Sequence, residues 1–371
     1  MLLRIPDFYD LFHCIADKCT DTCCIGWEID IDDNSLKKYA AVKGDFGDRL
    51  RQNIEDAHFK LLEGDRCPFL RQDGLCDMIC HLGESSLCDI CREHPRFVEV
   101  YGDIMEKGIG LCCEEAVRLL LTANGTTSSP IAFVEREIND EPDDIPEDAL
   151  EARDAIFNER EHLFKILADH HRPLNERLIE MMDYAVETSG IELSDINDAP
   201  NCKNDLNGNS DISNNILQSW IDILGKGESF GPAWDQAYKE LSQITLNTNP
   251  NGTGSIGQSS GLITQSDGEK IIAYLLFRYY AKSLFDGNSL TKVQFALYFW
   301  IMLQKFGEIF AKTAETPLAA PQANELTAKI AAIKLLSKQT EYSEEIMNLL
   351  EEEFMSNPLF SPENFKKVLL A

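Results

Sequence analysis

CIADKCTDTCCIGWEIDID (Cys14–Asp32), DRCPFLRQDGLC (Asp65–Cys76), LCDICREHPRF (Leu87–Phe97) and GLCCEEAVRLLL (Gly110–Leu121) decide how this chain is read. They hold Cys14, Cys19, Cys23, Cys24, Cys67, Cys76, Cys88, Cys91, Cys112 and Cys113, and Cys80 lies between them. Only Cys202 of the twelve cysteines falls outside this region. So dense a set exceeds what core filling needs, and it reads as ligands for a thiolate-loving centre or as a disulfide framework. Eleven is odd, and Met1 to His13 carries Asp7 and Asp10 where a secretory leader would be apolar. A reduced, cytoplasmic chain with metal-ligating thiols is the expectation. Cys88 and Cys91 form one C-x-x-C pair, whereas a zinc ribbon needs two. Sulfur-only sets suit iron–sulfur clusters as well as zinc, so spacing leaves the metal open.

With these motifs in view, the chain resembles the bacterial flagellin lysine-N-methylase family. The cysteine-rich part is also similar to a wider class of zinc- or iron-chelating proteins. The likeness covers about the first 120 residues and continues more weakly from Gly268 to Gly287, where Tyr274–Tyr280 reads YLLFRYY. It implies methyl transfer from S-adenosylmethionine to lysines of flagellin, with a cysteine-ligated [4Fe-4S] cluster or, alternatively, zinc. Cys23, Cys67, Cys76 and Cys91 are the first expected ligands, followed by Cys19, Cys24 and Cys112. The usual radical-enzyme spacing is C-x3-C-x2-C; here Cys23 is followed directly by Cys24. Radical and polar methyl transfer both stay open, and no catalytic or donor-binding residue is assigned. The competing reading is a non-enzymatic zinc- or iron-chelating accessory protein, against which the long C-terminal part weighs mildly.

The 371 residues carry 63 acids against 34 bases, a net charge of −29. Such a surface repels phosphate backbones, so no nucleic-acid partner is expected, and it favours a cationic one. No apolar run reaches the length of a membrane span; peripheral membrane association is left open. Val293 to Leu303 reads as a buried helix.

The expected fold is mostly α. A cysteine-rich region over residues 1–125 with short β-hairpins packs on an α-helical domain over 149–371. An acidic, proline-containing linker over 126–148 joins them. Trp27–Asp32 alternates apolar and acidic residues, the period of a strand. A helix is expected from Asn34 or Ser35 to about Glu63. Hairpins are expected around Asp73–Gly74 and Gly102–Asp103, and a helix over Glu114–Thr122. Gly252–Gly257 matches G-x-G-x-x-G but lacks a preceding strand and a following helix, so it reads as a surface segment. Arg278, inside an apolar helix, needs an acidic partner or a ligand carboxylate.

Overall fold

A computed structural model describes residues 1–143, 145–190, 209–247, 261–314 and 321–370. Cys202 and the Gly252–Gly257 segment lie outside the described residues.

The chain opens with β1 (Leu2–Pro6), then enters the cysteine-bearing loops. The expected long helix is two short ones, α1 (Asp33–Ala41) and α2 (Gly44–Gln52), followed by β2 (Ile54–Glu55) and β3 (His58–Phe59). Asp32, rather than Asn34 or Ser35, caps α1, accepting from the Ser35 N–H at 2.9 Å. The helix breaks because Val42 is extended and Gly44 has φ +79°. Gly47 then lets α2 close over the break: a Cβ there would lie 2.1 Å from the Val42 carbonyl oxygen. The expected strand at Trp27–Asp32 is not regular. Ile29 and Ile31 are buried and Asp30 exposed, so the alternation is real. The Ile31–Ala57 and Phe59–Ile29 backbone bonds and an Asp30–His58 side-chain contact at 2.7 Å tie it to the β2–β3 hairpin. The Asp73–Gly74 turn is likewise closed by a single Leu70–Cys76 bridge.

Next come α3 (Asp77–Leu82), α4 (Asp89–Glu93), β4 (Arg96–Tyr101), β5 (Ile104–Ile109) and α5 (Glu114–Thr122). The β4–β5 hairpin turns at Gly102 and Asp103 as expected, and α5 spans the residues expected of it. Part of the expected acidic linker contributes β6 (Phe133–Glu137). The sheet order is β4–β5–β1–β6. β1 runs parallel to β5, with Leu3 opposite Met105, and antiparallel to β6, with Ile5 opposite Val134. Parallel pairing is natural for strands separated by a long excursion, here the cysteine-bearing loops.

The rest is helical: α6 (Glu147–Leu167), α7 (Leu174–Ser189), α8 (Asn209–Leu224), α9 (Pro232–Asn247), α10 (Gln265–Tyr279), α11 (Ser283–Asp286), α12 (Ser289–Ala314), α13 (Pro321–Glu341), α14 (Glu344–Ser356) and α15 (Pro362–Leu370). Thr264 and Asp267 form a capping box that starts α10. Phe295 to Leu303 of α12 are all buried, as its sequence required. It packs on α7, α10 and α13 at the centre of the large core.

Two hydrophobic cores result. The large one takes in Phe8, Ile109, α5 and the helices through α15. The small one gathers Ile29, Ile31, Tyr39, Leu50, Phe59, Phe69, Met78, Cys67 and Cys88. Sheet and helices are locked by polar contacts. Arg160 of α6 makes a bidentate pair with Glu106 of β5 at 2.8 and 2.5 Å, both side chains buried. The Tyr274 hydroxyl donates to the Ile109 carbonyl at 2.7 Å and accepts its N–H at 2.5 Å.

Candidate functional site

The small core is the thiol-bearing part of the molecule. The Cys67 N–H donates to the Cys24 carbonyl at 2.8 Å, so the first cysteine loop is laid against the second. Arg49 fixes the second loop by donating to the Asp77 carboxylate at 2.5 Å and the Pro68 carbonyl at 2.9 Å. Asp32 ties in the third: its other oxygen accepts from the Asp89 N–H at 3.0 Å, at the start of α4. Cys88 stands just before α4 and Cys91 within it, one turn apart.

The thiols so placed feel one another. Cys67 and Cys88 are buried in the small core, and Cys24, Cys76 and Cys91 pack against it. Cys91 also interacts electrostatically with Cys24 and Cys67, Cys67 with Cys76 and Cys88, and Cys76 with Cys23. Cys24, Cys67, Cys76, Cys88 and Cys91 thus share the small core, and Cys23 is the exposed neighbour of Cys24. Cys113 adjoins it through Cys23 and interacts with Cys14 and with Cys19. Cys112 faces elsewhere. Its buried thiol lies beside Tyr342 and Arg278. Of the expected ligands, then, Cys23, Cys24, Cys67, Cys76 and Cys91 come together, Cys19 borders them through Cys113, and Cys112 is turned away. Cys88, not among the expected ligands, belongs to the group. The C-x-x-C spacing was its signal, since two residues three apart share a helix face.

Burial pushes the Cys67, Cys113 and Cys19 thiols up to about 11. The neighbouring Cys91 thiol lowers Cys88 to about 7 while Cys91 itself is raised. The pair therefore gives up one proton readily and the second reluctantly. Several half-buried thiols that repel one another as thiolates call for a cation between them, because deprotonated sulfur is the ligand form. Among the described residues, no three His, Cys, Asp or Glu side chains are arranged to hold one metal ion. The donor set is thus right in chemistry for a sulfur-bound centre and is not drawn in around a single ion.

Where this group meets the helices, rings and charges gather. Trp27 donates through Nε1 to the Cys23 carbonyl at 2.8 Å. Its ring lies 5.2 Å from that of His94, which in turn meets Tyr342 edge-on at 6.3 Å. Burial and then the Lys338 charge push His94 down to about 4, so it is uncharged at neutral pH. Asp21 accepts from Lys338 and lies 3.3 Å from Lys334, holding the Cys19–Cys24 loop on α13. Glu114 at the start of α5 accepts from the Thr20 N–H at 2.9 Å. Arg278 has its acidic partner: Glu341 at 2.7 Å, with the Phe97, Tyr279 and Tyr342 rings about it. His81 stacks on Phe46 at 4.4 Å and turns Nδ1 to Asp77, away from the thiols.

The architecture is that of a mostly helical protein with a small mixed sheet and a cysteine-rich lobe. Its curated relatives include two lysine-N-methylases and a flagellar biosynthetic protein. The chain is 28% identical over 152 residues to the lysine-N-methylase of Salmonella typhimurium, a match covering 37% of each chain. Identity and coverage are the same with the lysine-N-methylase of Salmonella choleraesuis. With the flagellar biosynthetic protein FliU of Salmonella muenchen it is 29% identical over 130 residues, 31% of this chain and 75% of that protein. These relatives bear out the resemblance to the flagellin lysine-N-methylase family. The match spans 37% of the length of the two lysine-N-methylases. No family model matches the chain, and no solved structure does. No helix among the described residues is long and apolar enough to cross a membrane.

Proposed function

We propose that the chain is a protein-lysine N-methyltransferase that takes methyl groups from S-adenosylmethionine and places them on surface lysines of flagellin in the cytoplasm. The observation that carries this reading is the similarity to proteins named lysine-N-methylase. A [4Fe-4S] cluster held by members of Cys23, Cys24, Cys67, Cys76, Cys88 and Cys91 fits the all-sulfur donor set. When bound, such a cluster supplies cross-linking of the three loops or electron transfer.

The chain's own residues have a simpler task. A lysine ammonium, with an ordinary pKa of about 10.4, must lose a proton before its nitrogen can attack. Nitrogen and sulfonium methyl must then be held in line at about 3–3.5 Å. Trp27, His94 and Tyr342 present ring faces beside the thiol group, and ring faces attract an ammonium or a sulfonium. An uncharged His94 adds no repulsion to either cation. We assign these three residues to orientation of the reacting groups.

The test is anaerobically purified protein incubated with flagellin and S-adenosylmethionine, read by mass spectrometry of flagellin lysines alongside iron, sulfide and zinc analysis. Methylated lysines and iron with sulfide are expected. Unchanged flagellin in the presence of metal-replete protein removes the methylase reading and leaves the chelating one. Stoichiometric zinc without iron removes the cluster.

A further inference from the structure

The four-stranded sheet ends at β4, whose outer edge is open among the described residues. The Gly110 N–H donates to the Pro95 carbonyl at 2.7 Å, which sets the phase of the β4–β5 ladder. Bonded pairs alternate in an antiparallel ladder, so Phe97, Glu99 and Tyr101 turn their backbone groups to β5. Arg96, Val98 and Val100 turn theirs outward, where no described strand lies beside them. Edges of this kind are normally guarded by charge, proline or a bulge. The opposite edge, β6, has such a guard: Glu135, Arg136 and Glu137 are exposed along it. On β4 both charges are engaged elsewhere, Arg96 over the Phe12 ring at 4.9 Å and Glu99 with Lys282 at 2.6 Å. Val98, at its middle, is 46% exposed.

The surroundings of the two ends select the occupant. Just before β4 stands His94, with Trp27 and Tyr342 about it beside the thiols. At the far end the acidic stretch crosses the β4–β5 turn. The Asp143 N–H donates to the Gly102 carbonyl at 3.1 Å, and a Cβ on Gly102 would lie 2.9 Å from the Ile145 side chain. Glu141 and Asp143 are exposed there. The six residues of β4, at about 3.3 Å each, span roughly 20 Å, so one extended segment along the edge runs from the acids toward the rings. Apolar side chains suit Val98 and Val100, and lysines suit the acids at one end and the ring faces at the other.

We propose that the outer edge of β4 binds an extended, lysine-bearing segment of a partner protein by strand addition, the segment's backbone pairing with Arg96, Val98 and Val100. That this partner is the methylated substrate, its lysine led toward His94, rests on the methylation reading. The probe is a capped, fluorescently labelled octapeptide of alternating lysine and valine. Its binding to the full-length protein is followed by anisotropy at about 0.15 M salt with no methyl donor present. The same peptide N-methylated at every backbone nitrogen keeps each charge and loses the ladder donors. Wild type should bind the plain peptide about tenfold or more tightly than the N-methylated one. Val98→Pro removes an outward N–H at an edge position that tolerates proline, and Val98→Lys guards the edge with charge. Each should weaken binding of the plain peptide by about tenfold or more with the melting temperature held. The proposal is overturned if wild type binds the two peptides equally or neither of them, or if both variants keep wild-type affinity. A wild-type dimer in sedimentation that Val98→Lys converts to monomer also overturns it and gives the edge to a second copy. Edge-dependent peptide binding with flagellin left unmethylated keeps the docking site and removes the methylase reading; methylated flagellin without edge-dependent binding does the reverse.

Discussion

Asp32 carries more than a cap. One oxygen accepts from Ser35 at the start of α1 and the other from Asp89 at the start of α4, joining the helix that follows the first cysteine loop to the helix that bears Cys91. The Asp89 N–H bond first, then the Ser35 N–H bond, lower its carboxyl from 3.8 to about 2. Because the folded value is depressed, the contribution is full above pH 4 and is lost as pH falls through 2. Asp32→Ala should cost about 1 kcal/mol at neutral pH. In denaturant titrations its gap from wild type should close between pH 4 and pH 2. Asp32→Asn keeps an acceptor for Ser35 but turns a donor toward Asp89, so it should restore only part of the loss; full restoration would show that the Asp89 bond contributes nothing. Gly110 is the second such residue. A Cβ there would meet the Tyr342 hydroxyl at 1.6 Å. Gly110→Ala should therefore push Tyr342 off Cys112 and Arg278, costing about 1–3 kcal/mol. Added to Tyr342→Phe, its effect should fall short of the sum of the single losses, because the two share one contact.

Among the elements, α13 holds the cysteine loop in place. Lys334 and Lys338, one turn apart, converge on Asp21, whose carboxyl is held below its usual range chiefly by Lys338 against the opposing effect of burial. Asp21→Asn should free the loop over residues 19–24, seen as faster amide hydrogen exchange there with little change in α12. Equal exchange in both proteins would show that Glu114 and the Cys24–Cys67 bond suffice. The sequence revealed α5, the β4–β5 hairpin and α12 because each has a local cause: an acidic first turn after Cys113, a Gly-Asp turn, an unbroken apolar run. It hid the break at Val42–Gly44, since Gly44 and Gly47 weaken a helix without saying where it turns. It also hid the sheet, because β1, β5 and β6 pair across more than 100 residues of chain. The thiol group was legible as a set of residues. That Cys112 faces Tyr342 while Cys88 joins the set depends on which side of each turn packs inward, and Tyr342 lies far along the chain.

For the molecule as a whole, charge is the dominant surface property: −29 overall, with Glu135, Glu137, Asp140, Glu141, Asp143, Glu147 and Asp148 exposed along one stretch from β6 to the start of α6. Acids so placed contribute little to folding, since exposed charges are well solvated and screened. They do bias encounter with a lysine-bearing partner, raising the association rate more than the final affinity. That attraction acts over about 10 Å at 0.1 M salt and only about 3 Å at 1 M. Association with flagellin, followed by stopped-flow or surface resonance, should slow steeply over this range while the dissociation rate changes less. Replacing Glu137, Asp140, Glu141 and Asp143 by their amides should slow association at 0.1 M and flatten the salt dependence. Unchanged fold is expected, because none of the four takes part in the large or the small core. If association in 0.1 M salt is the same for both proteins, the acidic stretch serves solubility alone, and recognition of the lysine lies with the rings around the thiol group.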